Sequence, residues 1–323
     1  MGNFACYSIK MTMIVDSIHI ENFKCIERED YEFRSPFTII LGNNGLGKTS
    51  ILEALTICAG AFTHNVGADQ KYQRNVKRYE IRNETVNGSI EAQFPCIVEA
   101  EGKLGKMGRV WEVPSWRAAK VTSPTLSQLA QKMIKDSTKV EGARLPLFAY
   151  YSTARLWAEM SDKLDYVKQG PRTEGYSYSL AAKSSSKYFR EWYKTLEKNA
   201  DKKDESVKTR LEAFNQAIVS CVEDWDDIYF DFEINDIVGK HTLPDGRVER
   251  IPYAMMSDGY RNMIGLVADL AFRCIKLNPH LGADARKETE GLVLIDELDM
   301  HLHPTWQRHV VKDLTSCFPK MQF

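Results

Sequence analysis

The chain has 323 residues, 43% of them hydrophobic and 27% charged, and a formal net charge of −1 at pH 7. That length allows a large core or two lobes, the composition is that of an ordinary soluble globular protein, and no global charge draws it to nucleic acid or to a membrane surface. The seven cysteines (Cys6, Cys25, Cys58, Cys96, Cys221, Cys274, Cys317) contain no C-x-x-C pair, which argues for reduced thiols in a cytoplasmic protein and against a disulfide framework or zinc site.

In chain order, Met1-Gly2-Asn3-Phe4-Ala5-Cys6 reads as a loose extension, because Cys6 stands where a myristoylation start wants Ser or Thr. Residues Ile14 to Ile20 alternate as a strand, Asn22-Phe23-Lys24 ends it, and Tyr31-Glu32-Phe33 belongs to the returning strand. Phe37 to Leu41 is a short β-branched run, expected as a buried strand. It leads into Gly42-Asn43-Asn44-Gly45-Leu46-Gly47-Lys48-Thr49, which fits G-x-x-x-x-G-K-[ST], and then into a helix from about Lys48 to Ala59. Strand, glycine loop and helix are the context in which backbone N–H groups and a helix N-terminus cradle phosphates. Lys48 is expected to reach the outer phosphates and Thr49 to ligate Mg²⁺.

Ala61 to Arg82 is polar and carries Lys71, Arg74, Lys77 and Arg78; it is expected as a solvated loop, with a basic patch for DNA or a partner as the sharper alternative. Gly88 to Phe94, Cys96 to Glu101 and Arg109 to Val113 read as antiparallel strands, with a turn at Gly102 to Gly108. Thr125 to Lys135 reads as a helix, and Leu147-Phe148-Ala149-Tyr150-Tyr151 as a buried strand followed by Ser152-Thr153-Ala154-Arg155. Trp157 to Gly175 is loop-like. Ser184 to Lys198 and Val207 to Trp225 then read as amphipathic helices, and Tyr188, Trp192 and Leu196 recur on one face that is expected to be a packing face. Ile228 to Val238 and Arg247 to Pro252 return to strand character around an Asp245-Gly246 turn.

Two later stretches complete a site. Gly291-Leu292-Val293-Leu294-Ile295-Asp296-Glu297 is an apolar strand ending in two carboxylates, the Walker B arrangement: Asp296 to hold Mg²⁺ opposite Thr49, and Glu297 to act as general base on the attacking water. Met256-Ser257-Asp258-Gly259-Tyr260-Arg261 precedes a helix from Asn262 to Leu277, with Ser257 a natural N-cap. A second phosphate-binding helix end makes sense if two copies meet head to tail.

These three pieces, in this order, resemble the ATP-binding-cassette nucleotide domain and, more closely, the SMC and Rad50 heads. The run from Ile295 to Gln307 is similar to a bacterial group of stand-alone AAA-type ATPases that includes the overcoming-lysogeny-defect ATPases and the ATPase subunits of the Septu and some retron anti-phage systems. The resemblance implies an α/β fold: an ABC-type P-loop nucleotide-binding domain with an antiparallel β subdomain and a helical insertion lobe. It implies ATP and Mg²⁺ as cofactors. Asn43, Gly45, Gly47, Lys48, Thr49 and Ser50 would bind the phosphates, and Thr49 and Asp296 would hold the metal. Glu297 and Lys48 would be catalytic. Ser257 and Gly259 would reach a nucleotide held by the other protomer, Asp299 would lie in the loop crossing that interface, and Lys24 would lie near the nucleotide.

The implied partners are a second copy, as a homodimer or higher homo-oligomer through an ATP sandwich, and an effector nuclease of HNH type; DNA would be met through the partner or a basic patch, and no membrane is involved. The expected division is residues 1–155 for the first half of the ATPase domain, 156–226 for the helical lobe, and 227–323 for the second half. Two departures stand out. The family's Gln after the strand Leu147 to Tyr151 is replaced by Ser152 to Arg155, and the chain stops at Met321-Gln322-Phe323, where the family's next core strand and switch histidine follow. ATP binding is therefore expected to exceed turnover. The rival functions are a repair or chromosome-maintenance head, for which no sustained heptads are present, a transporter subunit, and an ATP-sensing regulator with little turnover.

Overall fold

The computed structural model describes residues 13–323 apart from 68, 70–71, 73, 104–106, 112–119, 122–123, 154–170, 182–185, 201–204, 223–224 and 244. Alternation in the first strand, β1 (Val15–Phe23), turns Val15, Ile18, Ile20 and Phe23 into the core. It pairs antiparallel with β2 (Ile26–Glu32), whose Glu27, Arg28, Glu29 and Asp30 face solvent. Helix α1 (Lys48–Thr63) is apolar nearly all round and is accordingly buried, with Ala54, Ile57, Cys58, Ala59 and Phe62 at 1% exposure or less. A hairpin of β3 (Asn83–Val86) and β4 (Ser89–Ala92) turns through left-handed Asn87-Gly88. Strands β5 (Cys96–Gly102), β6 (Met107–Trp111) and β7 (Lys120–Val121) complete an antiparallel sheet of order β2-β1-β5-β6-β7.

After α2 (Pro124–Lys139), strand β8 (Leu147–Tyr151) is buried at every residue. Such continuous burial belongs to a parallel strand covered on both faces. Helices α3 (Ser186–Ala200) and α4 (Glu205–Val219) follow, then a three-stranded antiparallel sheet of β9 (Asp227–Asp231), β10 (Asp236–Thr242) and β11 (Val248–Pro252). Helix α5 (Asp258–Leu277) and the short α6 (Ala285–Glu288) lead to β12 (Gly291–Ile295). Two more helices, α7 (Pro304–Gln307) and α8 (Val310–Cys317), precede β13 (Met321–Gln322). Strand β12 lies between β8 and β13, parallel to both. Helix α1 packs against both this parallel sheet and the antiparallel one, and Phe62 meets Phe148 at 5.2 Å between ring centroids.

Several expectations are corrected. Phe37 to Leu41 forms no strand, and Ile39 and Leu41 are 62% and 86% exposed rather than buried. Among the described residues Phe323 pairs with this segment, through Thr38 N–H to Phe323 O at 2.8 Å and Phe323 N–H to Pro36 O at 2.7 Å. One bonded residue does not make a ladder, so Ile39 and Leu41 stay outside the sheet. Within Ala61 to Arg82 the helix continues to Thr63, and Arg74 is folded into structure instead of a basic patch. Its guanidinium makes a bidentate pair with Glu80 at 2.8 and 3.0 Å and donates to the Thr56 hydroxyl at 2.9 Å. Lys71 lies outside the described residues, as do Ala154, Arg155 and Trp157.

The run Ile228 to Val238 is two strands, because Asp231 accepts from the N–H groups of Glu233 and Ile234 and Asn235 turns left-handed at φ 54°. The aromatic face of α3 does pack: Trp192 meets Phe214 at 5.2 Å and Phe272 at 5.1 Å. Beside it, Tyr193 is fully buried, its hydroxyl 3.0 Å from Ile228 O and 2.8 Å from Asn215 Oδ1.

Candidate functional site

The glycine loop folds as its composition requires. Gly45 and Gly47 both sit at φ 84°, a conformation that costs any residue with a Cβ, and Gly47 is the N-cap of α1. Lys48 curls back over the loop, donating from Nζ to Gly42 O at 2.7 Å and Asn43 O at 2.9 Å. Thr49, next along, donates its hydroxyl to Asp296 Oδ2 at 2.9 Å. Two motifs 247 positions apart thus meet through one hydrogen bond. Asp296 is 7% exposed at the tip of β12, and its N–H donates to Tyr151 O at 2.8 Å. Glu297 is exposed and left-handed at φ 48°, an uncommon conformation for a residue with a side chain.

Ser50 is buried and its hydroxyl faces the Cys25 sulfur at 3.5 Å. Lys24 is ion-paired with Glu53 of α1, and burial holds its ammonium below the usual lysine range. Ser152 is buried.

The start of α5 is built differently. Ser257 is the N-cap, as expected, but its side chain makes no capping bond and the residue is exposed. Gly259 is buried against the loop after β12: a Cβ there would stand 2.7 Å from His301 O. Asn262 Nδ2 donates to Met300 O at 3.0 Å. Tyr260 sits edge-on to Trp306 at 4.7 Å and tilted against Trp225 at 5.5 Å. Trp225 in turn occupies the space beside Gly239, where a Cβ would lie 1.2 Å from its ring. Asp299 is exposed, its carbonyl accepting from Leu302 N–H and Gln307 Nε2.

Sequence reasoning missed the strut between these two regions. Asp269 of α5 accepts at one oxygen from the Tyr151 hydroxyl and from Arg273 Nε, both at 2.7 Å. Arg273 also donates to Gly175 O and Ser177 O. Burial pushes the Tyr151 phenol well up, aided by the Asp269 carboxylate, so it remains a donor. The available signal was an Asp and an Arg four residues apart inside an otherwise apolar stretch of helix.

An AAA-domain family model matches residues 17–224. The chain belongs to the AAA-domain family of P-loop ATPases. A second AAA-domain model, whose description adds an AbiEii toxin of a type IV system, matches residues 152–317. Among curated relatives, the retron Vc95 probable ATPase of Vibrio cholerae is 26% identical over 88% of this chain and 64% of its own length. The retron Ec83 probable ATPase of Escherichia coli is 24% identical over 96% of this chain and 67% of its own. The Septu protein PtuA of Bacillus mycoides is 25% identical over 96% of this chain and 37% of its own, so the chain spans between about a third and two thirds of the relatives it matches. Among solved structures, the SMC head domain of Thermotoga maritima aligns with TM-score 0.48 at 16% identity, covering 96% of this chain and 88% of that one. No helix among the described residues is long and apolar enough to cross a membrane.

Proposed function

We propose that the chain is an ATPase that binds Mg-ATP between its glycine loop and β12, closes head to tail on a second copy, and controls an effector nuclease in bacterial anti-phage defence. The observation that carries the nucleotide site is the Thr49–Asp296 hydrogen bond. It brings a hydroxyl and a carboxylate together at a helix start, and these are the oxygen donors a hard divalent cation takes. The exposed Gly45 and Leu46, the half-buried left-handed Gly47 and the N-terminus of α1 fit a polyphosphate, whose charge the helix-end N–H groups favour. The names of the retron and Septu relatives support the defence role.

When bound, the metal would neutralise phosphate charge. The rest falls to residues of this chain. Lys48 exchanges its two carbonyl partners for phosphate oxygens, at little cost because both are exposed loop carbonyls. Asp296, anchored by its own backbone to Tyr151, keeps its carboxylate aimed at Thr49. Glu297 takes the proton of the attacking water. Ser257, with its hydroxyl uncommitted to its own helix, supplies a donor to the γ-phosphate held by the second copy.

Mass photometry of wild type and Glu297→Gln, with and without Mg-ATP, beside a phosphate-release assay, tests this reading. The expected result is an ATP-dependent dimer and lost turnover in Glu297→Gln; assembly that ignores ATP, with no turnover in either protein, would overturn it. Phage plaque counts on cells carrying the wild-type or Lys48→Ala gene test the defence role, and equal counts remove it.

A further inference from the structure

Away from the nucleotide site, β3 and β4 form a two-stranded sheet of their own. All eight of their residues are exposed, Ile90 at 78% and Val86 at 44%. A lone hairpin gains little from its own two strands, so one left uncovered with apolar side chains in solvent calls for a reason. It is nevertheless well made. The left-handed Asn87-Gly88 turn matches the strand twist. Arg82 N–H donates to Asn22 O at 3.0 Å, and a bridge from Phe23 to Ile81 ties the base of the hairpin to β1.

The register sets what the hairpin offers. Gln93 N–H donates to Arg82 O at 2.8 Å, which makes Arg82 and Gln93 a bonded pair. Bonded pairs alternate in an antiparallel ladder, so Glu84 with Glu91 and Val86 with Ser89 are bonded too. The backbone groups of Ile90 and Ala92 fall between them and point outward along β4, an edge with which no strand pairs among the described residues. Side chains alternate as well. Asn83, Thr85, Ile90 and Ala92 share one face, and Glu84, Val86, Ser89 and Glu91 share the other.

Charge selects the occupant. Glu84 and Glu91 stand directly opposite each other, an arrangement that costs stability between like charges. Arg82 pairs with Glu84 and also with Glu27, and among the described residues no cation pairs with Glu91. From Asn83 to Ala92 the chain holds two carboxylates and no lysine or arginine. Such an edge repels a phosphate backbone. It also repels the same hairpin of a second copy, which would set glutamates against glutamates. A basic strand meets neither objection.

We infer that the edge of β4 is a docking site for an extended segment of a partner protein, a strand that alternates basic and apolar side chains. Its backbone bonds to the outward groups of Ile90 and Ala92, its apolar side chains cover Ile90, and its lysines or arginines lie beside Glu91.

The probe is a short fluorescein-labelled peptide of alternating lysine and valine, titrated by anisotropy against the folded 323-residue chain without nucleotide. The expected result is saturable binding. A glutamate–valine peptide, and a lysine–valine peptide interrupted by proline, should each bind at least about tenfold more weakly. Amide hydrogen exchange at Ile90 and Ala92 should slow in the complex. Glu91→Lys should weaken the lysine–valine peptide about tenfold and strengthen the glutamate–valine one. Ile90→Pro removes an edge donor without touching the hairpin's own bonds, and it should weaken the lysine–valine peptide while leaving Glu91 in place. Near-UV circular dichroism checks that both variants are folded. No saturable binding by wild type, unchanged binding in both variants, equal binding of the proline-interrupted peptide, or exchange slowed elsewhere would overturn the assignment. So would nucleotide-free dimers of wild type that Glu91→Lys takes apart, which would give the hairpin to a second copy.

Discussion

Two helix starts, Gly47 before α1 and Ser257 before α5, present the same partial positive charge in opposite settings. The first is a loose collar. Leu41 and Leu46 on either side are 86% and 68% exposed, Gly45 and Gly47 are left-handed, and its lysine is held by loop carbonyls. The second is buttressed from behind, by Gly259 on His301 O, Asn262 on Met300 O and Tyr260 on Trp306. Its cap hydroxyl is nevertheless unused within its own helix. The contrast teaches that the first end is held by few contacts of its own, whereas the second is packed from behind and leaves its cap hydroxyl unbonded to its own helix.

Removing the strut between the two should do most damage. Asp269→Ala leaves the buried Arg273 guanidinium without its carboxylate, at a cost of about 3–5 kcal/mol. Denaturant unfolding reads this directly, and a loss of stability under about 0.5 kcal/mol, the range of surface substitutions, would mean the pair is not structural. At the loose end, Glu297→Gln should lower turnover about 10²–10⁴-fold with little change in nucleotide affinity. Steady-state phosphate release beside fluorescent-nucleotide titration separates the two effects, and parallel losses would remove the general-base role.

Lys48→Ala should weaken ATP by about 1.5–3 kcal/mol, the value of hydrogen bonds to a charged group, and leave thermal stability unchanged. The packed end predicts a different pattern. Gly259→Ala drives a Cβ into His301 O and should cost about 1–3 kcal/mol, seen as a lower melting temperature. Ser257→Ala is the sharpest test because its expected stability effect is the smallest. An N-cap serine that bonds its helix is worth about 1 kcal/mol, but here no such bond exists. Its melting temperature should match wild type while ATP-dependent association is lost. A melting point several degrees lower would show the hydroxyl to be an ordinary cap.

Elements with a local cause were legible beforehand. The apolar run Leu147 to Tyr151 is the strand β8 residue for residue, and the Asp245-Gly246 turn joins β10 to β11. The helix after Ser257 begins directly at Asp258, as its cap residue indicates, four residues before the Asn262 start read from the sequence. Illegible features depended on what lay opposite in space. Phe37 to Leu41 has the composition of a buried strand, yet it is tied to Phe323 through Thr38 and leaves Ile39 and Leu41 in solvent. Arg74 read as part of a solvated loop, yet Glu80 and Thr56 enclose it.

The amino-acid order alone determined the local chemistry: glycines at positive φ, a lysine and threonine at a helix start, two acids at a strand tip, and a serine before a long helix. These follow from backbone sterics, helix-end electrostatics and hydrophobic periodicity, all acting within a few residues. Only the tertiary structure decided that Thr49 touches Asp296 and that Tyr151, Asp269 and Arg273 share one buried network. Contacts between segments a hundred or more residues apart are set by how whole sheets and helices pack, and no local pattern encodes them.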